Sequence, residues 1–210
     1  MKWTVGSLYS NPDVYADRYL VTGDTFAIAD GMGLGKGAVL SAEKAIELLK
    51  EFRPFHSEKD LERAFLKINK EIIKEIGKLG DTVISGTTLS AISFNSKRFY
   101  IGHVGDSRIY LLRNGNLQLL TEDQVKFKGN KKVVKVLGLE WSPRVYTYSD
   151  KVQEGDIFLL ISDGFVNVIR EKELRDLINP ENLEESKNRI IETFSERTSS
   201  GELTFILIRI

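Results

Sequence analysis

Four β-like segments follow one another at Thr87–Phe94, Arg98–Val104, Arg108–Arg113 and Asn116–Leu120, joined only by short turns. Asn95-Ser96 and Asn114-Gly115 stand at two of the joints, and Asn-Gly is the strongest short hairpin signal. Strands chained by hairpins pair antiparallel, so this stretch requires an antiparallel sheet. The same signals predict strands at Trp3–Val5, Arg18–Val21 and Thr25–Ala29. Asn11-Pro12-Asp13 breaks the chain after the first, and Gly23-Asp24 turns tightly between the other two. Val145–Tyr148, Ile157–Ser162 and Leu203–Ile210 complete the predicted strands.

Helical periodicity occurs at two separate places. Val39, Ala42, Ile46, Leu49 and Phe52 share one face of residues 38–52, and Pro54 ends that helix. Ser57 caps a second helix whose buried stripe is Leu61, Phe65, Ile68, Ile72 and Ile76. Another pair is predicted at about 171–178 and 182–197. Residues 121–144 are polar and irregular, with helical character expected around Lys131–Leu137. The order of strands, two helices, strands, two helices and a strand predicts an α+β fold in four layers. In this αββα arrangement a central antiparallel β-sandwich is flanked by antiparallel helix pairs, as a single domain over residues 1–210.

Composition removes several functional classes. Lys+Arg and Asp+Glu balance at 30 each, so no basic field for nucleic acid is expected. There is no cysteine, hence no disulfide framework and no thiolate metal site. No apolar run approaches membrane-spanning length, and the N-terminus lacks the pattern of a signal peptide. A cytoplasmic location and no membrane partner are the expectation, with a monomer as the simplest state.

The chemistry lies in acids at strand ends. Asp30-Gly31, Gly105-Asp106 and Asp163-Gly164 each follow an apolar run, FAIAD, YIGHVGD and IFLLISD. A carboxylate beside a core needs a partner. Hard divalent cations such as Mg2+ and Mn2+ supply one, because they take carboxylate, carbonyl and water oxygens. An Asp-Gly pair is also an ordinary turn, and the residues alone leave both readings open. Gly155-Asp156 precedes its strand and reads as a turn. The glycines of 31–37 do not form a Walker loop, because Lys36 falls at the wrong spacing. Gly33-Leu34-Gly35-Lys36-Gly37-Ala38 matches a dinucleotide fingerprint, but two helical segments fill 38–76, where that fold needs a strand ending in an acid.

DGMG at 30–33, GTTL at 86–89, HVGDSRIYLLRNG at 103–115, LLTED at 119–123 and GDIFLLISDG at 155–164 occur in that order. Together they resemble the metal-dependent protein phosphatases of type 2C, bacterial branch. The resemblance spans nearly the whole chain and implies a Mg2+- or Mn2+-dependent protein serine/threonine phosphatase holding two or three ions. Its substrate would be a phosphorylated protein, hydrolysed by a metal-activated water without a covalent intermediate. By the resemblance, Asp30 bridges two metals, Gly31 offers its carbonyl and Asp163 is a facing ligand. Asp106 helps hold a third, weaker metal, and Asp13 lies near the second. Thr87 and Thr88 are structural neighbours of the site, and 121–144 stands where the family has a flap. That segment carries Lys126, Lys128, Lys131, Lys132 and Lys135.

Departures from the family pattern are as informative. Leu8 stands where the resemblance calls for a phosphate-gripping arginine, Pro12 where it calls for Glu or Gln, and Gly201 where it calls for a C-terminal metal-binding Asp. Glu202 is a candidate replacement ligand, with a solvated turn acid as the alternative. Lys36 is a candidate cation for the substrate phosphate, with a solvent-facing lysine as the alternative. His103 and His56 are read as structural and surface residues, and Arg108 as a brace for its turn. The departures at 8 and 201 also favour, as a second possibility, a catalytically impaired member acting as a phosphoprotein-binding or regulatory module.

Overall fold

The computed structural model describes residues 1–9, 15–33, 35–80, 84–129, 131–198 and 202–210. From the N-terminus, β1 (Lys2–Tyr9), β2 (Arg18–Val21), β3 (Thr25–Ala29) and the short β4 (Gly31–Gly33) lead into helices α1 (Lys36–Glu51) and α2 (Glu58–Gly77). The meander follows as β5 (Ser85–Thr87), β6 (Leu89–Phe94), β7 (Arg98–Val104), β8 (Arg108–Arg113) and β9 (Asn116–Leu119). Next come β10 (Val125–Lys128), β11 (Lys131–Val134), β12 (Tyr146–Lys151) and β13 (Ile157–Ile161). Helices α3 (Asp163–Val166), α4 (Glu171–Leu177) and α5 (Leu183–Arg197) and the strand β14 (Glu202–Arg209) close the chain.

Two five-stranded sheets form the centre, ordered β1-β14-β13-β8-β9 and β12-β7-β6-β3-β2. All of their pairings are antiparallel. Strands in such a stack alternate their side chains between two buried faces. In β3, Phe26 and Ile28 point between the sheets, where they meet Ile101, Phe158, Leu160 and Ile206. Ala27 and Ala29 of the same strand point outward beneath Leu49, Phe65, Ile68 and Ile72 of α1 and α2. On the other side Leu159, Ile161, Phe205 and Leu207 pack under Phe165, Leu174, Ile190 and Phe194 of α3, α4 and α5. Three apolar layers therefore separate four structural layers, which is the expected αββα order. Small residues make the close approaches possible: a Cβ on Gly102 would stand 2.9 Å from the Phe65 ring.

Local signals act as expected at the ends of elements. Ser57 caps α2 by accepting from the Asp60 backbone N–H at 3.2 Å. Asn114 and Gly115 both take positive φ, 51° and 75°, in the β8–β9 hairpin. The expected strand Thr87–Phe94 breaks at Thr88, because β5 pairs with β4 while β6 pairs with β3 and β7. The helical character expected around Lys131–Leu137 is not found. Val125–Lys128 and Lys131–Val134 instead form an antiparallel hairpin, with Gly129 at φ 61° before its turn. Val125, Lys126, Phe127 and Lys128 alternate with the period of a strand, and Lys131–Val134 takes up strand form by pairing with them. Among the described residues, no helix is long and apolar enough to cross a membrane.

Candidate metal centre

The acids meet at one end of the sandwich. In the β2–β3 hairpin Arg18 stands opposite Ala29, so the next residues outward, Asp17 and Asp30, face each other. Asp163 arrives from the other sheet. β13 runs to Ile161 opposite Phe205, and Ser162 then locks onto β14. The Ser162 N–H donates to the Thr204 carbonyl at 2.9 Å, and the Thr204 N–H donates to Ser162 Oγ at 3.1 Å. Asp163 is the first residue of α3, so its carboxylate leaves the strand end at a fixed angle. Asp106 comes from the β7–β8 turn, where Gly105 takes φ 124°. A Cβ there would stand 2.6 Å from Thr88, so the turn demands glycine twice over.

Asp17 ends no apolar run and belongs to none of the Asp-Gly pairs, yet it is among the most buried acids, at 3% exposure. Its signal was present. Counting outward from the Gly23-Asp24 turn, the residue opposite Asp30 is Asp17. Asp13, the acid the resemblance assigned to this neighbourhood, lies outside the described residues, as do Pro12 and Gly201.

Mutual repulsion and burial dominate the electrostatics. Burial first, then the charges of Asp17 and Asp163, push the Asp30 carboxyl well above the ordinary carboxylate range. Asp30 is also within hydrogen-bond reach of the carboxyls of both Asp163 and Asp17. Asp17 is raised by burial, against the hydrogen bonds of Thr204 and Ser162 that favour its charged form. Its Oδ2 is buried without a hydrogen-bond partner. Asp106 is raised chiefly by burial, in opposition to Lys132. Like carboxylates this close hold protons unless a cation replaces them.

Supporting hydrogen bonds hold Asp30 in place. Its carbonyl accepts from the Thr88 N–H at 2.9 Å and from Thr87 Oγ1 at 3.0 Å. Its N–H donates to Thr88 Oγ1 at 3.1 Å, and that hydroxyl shares a 2.9 Å bond with Ser107 Oγ. The break at Thr88 is thus what anchors Asp30, and both threonines have the structural part expected of them. A Cβ on Gly31 would stand 2.5 Å from the Ala38 carbonyl and 2.9 Å from Ala16 Cβ, so α1 and the segment before β2 close around it. Tyr15 joins the two sheets, with its hydroxyl hydrogen-bonded to Ser7 Oγ at 2.6 Å and to Thr204 Oγ1.

Glu202 opens β14 beside this cluster. Burial and the nearby charges of Asp17 and Asp163 raise its carboxyl, while the Ala16 N–H favours its ionised form. A Cβ at Gly164 would collide with the Glu202 carbonyl, so the Asp163-Gly164 step and the start of β14 are in direct contact. Lys36 is exposed in the first turn of α1. His103 is fully buried; Nε2 faces the Glu122 carbonyl at 3.1 Å and Nδ1 faces Ser90 Oγ at 2.8 Å. Burial lowers its pKa to about 4, which makes it a neutral structural residue. His56 is exposed, and its N–H donates to Asp60 Oδ2. Arg108 forms a two-pronged pair with Asp123 at 2.9 and 2.7 Å, a brace across the turn. Asp156 likewise receives Arg113 at 2.7 Å on each oxygen and the Gln153 N–H. Leu8 stands opposite Leu203 and packs against the apolar layer under α3, α4 and α5.

The donor set fits a hard divalent cation. Its side chains offer carboxylate oxygens, two of which, Asp17 Oδ2 and Asp106 Oδ2, are buried without a hydrogen-bond partner, and the group carries more negative charge than burial tolerates. Among the described residues no three such side chains close on a common point as a finished cage. Mg2+ and Mn2+ tolerate that arrangement, since they keep several waters and accept carbonyl oxygens.

A family model described as protein phosphatase 2C matches residues 10–207. The chain belongs to that family. It is 28% identical over 207 residues to the serine/threonine phosphatase Stp of Listeria welshimeri, covering 86% of this chain and 82% of that one. It is 27% identical over 201 residues to the serine/threonine protein phosphatase PstP of Mycobacterium tuberculosis, covering 85% of this chain and 38% of the relative. Among solved structures, the M. tuberculosis phosphatase PstP/Ppp superposes with a TM-score of 0.87 at 21% identity, over 100% of this chain and 98% of that one. The PstP catalytic domain, solved in complex with two manganese ions, gives 0.86 at 24% identity over 98% and 96%. The fold of this phosphatase 2C chain is therefore that of its relatives.

Proposed function

We propose that this chain is a Mg2+- or Mn2+-dependent protein serine/threonine phosphatase, hydrolysing phosphomonoesters on phosphorylated proteins with water as the nucleophile. The observation that carries this is the meeting of Asp17, Asp30 and Asp163, from two sheets, in a partly buried cluster that cannot stay fully charged without a cation. Asp30 and Asp163 hold the ions, with the Gly31 carbonyl, Asp13, Asp106 and Glu202 as further candidate ligands and Lys36 as a candidate contact for the substrate phosphate. Bound divalent ions offset charge on the phosphoryl oxygens and lower the pKa of coordinated water into the neutral range.

The chain's own residues keep that arrangement rigid. Thr87 and Thr88 clamp Asp30, and Ser162 and Thr204 fix the strand end that carries Asp163. The chain has no cysteine to act as a nucleophile, and its one fully buried histidine is neutral and already hydrogen-bonded. The chain acts as one domain, as a monomer in the cytoplasm, without nucleic acid.

Release of phosphate from a phosphothreonine peptide, with and without MnCl2, tests the proposal. Turnover should require the metal and fall by at least about a thousandfold in Asp30→Asn and Asp163→Asn. Peptide binding without turnover above those variants at any Mn2+ concentration overturns it and identifies a binding module instead.

A further inference from the structure

Asp106 already has a cation beside it. Lys132 Nζ, from β11 of the 125–134 hairpin, lies 2.6 Å from Asp106 Oδ2. That oxygen is buried and has no aligned hydrogen-bond partner among the described residues, so the contact is an ion pair rather than a directed hydrogen bond. The two ends differ sharply in exposure: the Asp106 side chain is 2% exposed and that of Lys132 42%. The lysine therefore reaches in from solvent to a carboxylate that has almost no other access to counter-charge.

The hairpin root holds the lysine there. The Gln124 N–H donates to the Gly105 carbonyl at 2.7 Å, one residue before Asp106, and the Lys135 N–H donates to the Gln124 carbonyl at 2.9 Å. Both ends of the ribbon are thus tied to the turn that carries Asp106. The backbone that carries the ammonium is therefore already in place, and only the lysine side chain has to be ordered for the pair to form. A divalent ion and an ammonium beside the same carboxylate repel each other, and each weakens the hold of that single charge on the other.

We propose that Lys132 is a resident, tethered cation for Asp106, so that a divalent ion can bind at Asp106 only by displacing it. This rests on the phosphatase reading for the remaining ions, and it replaces the expectation of a third, weak metal with a side chain of the chain itself. Two divalent ions and one ammonium balance the charge of Asp17, Asp30, Asp106, Asp163 and Glu202. The hairpin is thereby pinned to the acid cluster, and its position is linked to the occupancy of Asp106.

Calorimetric titration of MnCl2 into the metal-stripped full chain tests the proposal without relying on turnover. Wild type should take up its tight ions and nothing further into the millimolar range. Lys132→Gln should gain one additional weak site, bound at least about tenfold more tightly than any such event in wild type, as expected from removing one neighbouring like charge. Lys132→Arg should behave as wild type, and adding Asp106→Asn to Lys132→Gln should abolish the gained site. Equal stoichiometry and affinity in wild type and Lys132→Gln, with metal-dependent hydrolysis intact, overturn this inference alone. A wild type that takes up no Mn2+ and hydrolyses nothing overturns the phosphatase reading as well.

Discussion

His103 supplies a stability change whose size can be worked from its surroundings. The imidazole is fully buried between Ser90 and the Glu122 carbonyl. That carbonyl can only accept, so Nε2 carries the hydrogen and Nδ1 is the acceptor. Burial is the main cause of a folded-state pKa of about 4, against 6.5 for the exposed group. The folded chain therefore binds fewer protons than the unfolded chain between those values. Stability from this residue is complete above pH 6.5 and declines as pH falls toward 4, with no further loss below. At 1.36 kcal/mol for each pKa unit, the loss is about 3 kcal/mol. Urea unfolding of wild type and His103→Gln at intervals from pH 7.5 to pH 4 isolates it. The acid cluster titrates in the opposite sense, since raised carboxyls gain stability as they protonate, but both proteins share it and the difference removes it. Wild type should be the more stable at pH 7.5, and the gap should shrink by about 3 kcal/mol at pH 4. Parallel curves would refute the buried, neutral assignment of His103.

Two further outcomes follow from the site. Asp17→Asn should raise the melting temperature of the metal-free chain by a few degrees, equivalent to about 1 kcal/mol, by relieving like-charge repulsion. The same variant should lose most of the stabilisation that MnCl2 gives wild type, measured in the same thermal scans; unchanged metal stabilisation would remove Asp17 from the cluster's function. Gly31→Ala should cost about 1–3 kcal/mol in urea unfolding, because its Cβ would meet the Ala38 carbonyl at 2.5 Å and the backbone must shift. A Gly31→Ala chain as stable as wild type would show that α1 can move away from the site.

Much of the scaffold was legible because it is locally encoded. Arg18–Val21, Thr25–Ala29, Arg98–Val104 and Arg108–Arg113 are strands with the ends expected for them. Their alternation and their Gly and Asn turns act over a few residues. Asp30, Asp106 and Asp163 stand out for the same reason, each ending an apolar run. The 125–134 ribbon is not legible because each strand is only four residues long, and Lys131–Val134, read as KKVV, has no period of its own. Asp17 was missed although the β2–β3 register already placed it opposite Asp30, since an acid at a strand's start looks like ordinary turn chemistry.

Leu8 shows the limit most clearly. As a letter it marks a missing arginine; in the fold it stands opposite Leu203 and packs in an apolar layer. The order of strands, turns and amphipathic helices, and hence the four layers, follows from short-range periodicity in the chain. Which acids share a cluster, and which lysine reaches Asp106, follows only from the packing of two sheets. Asp30 and Asp163 belong to different sheets and lie far apart along the chain, so no local signal relates them. Their proximity, and the burial that makes a cation necessary, exist only once both sheets are closed on one core.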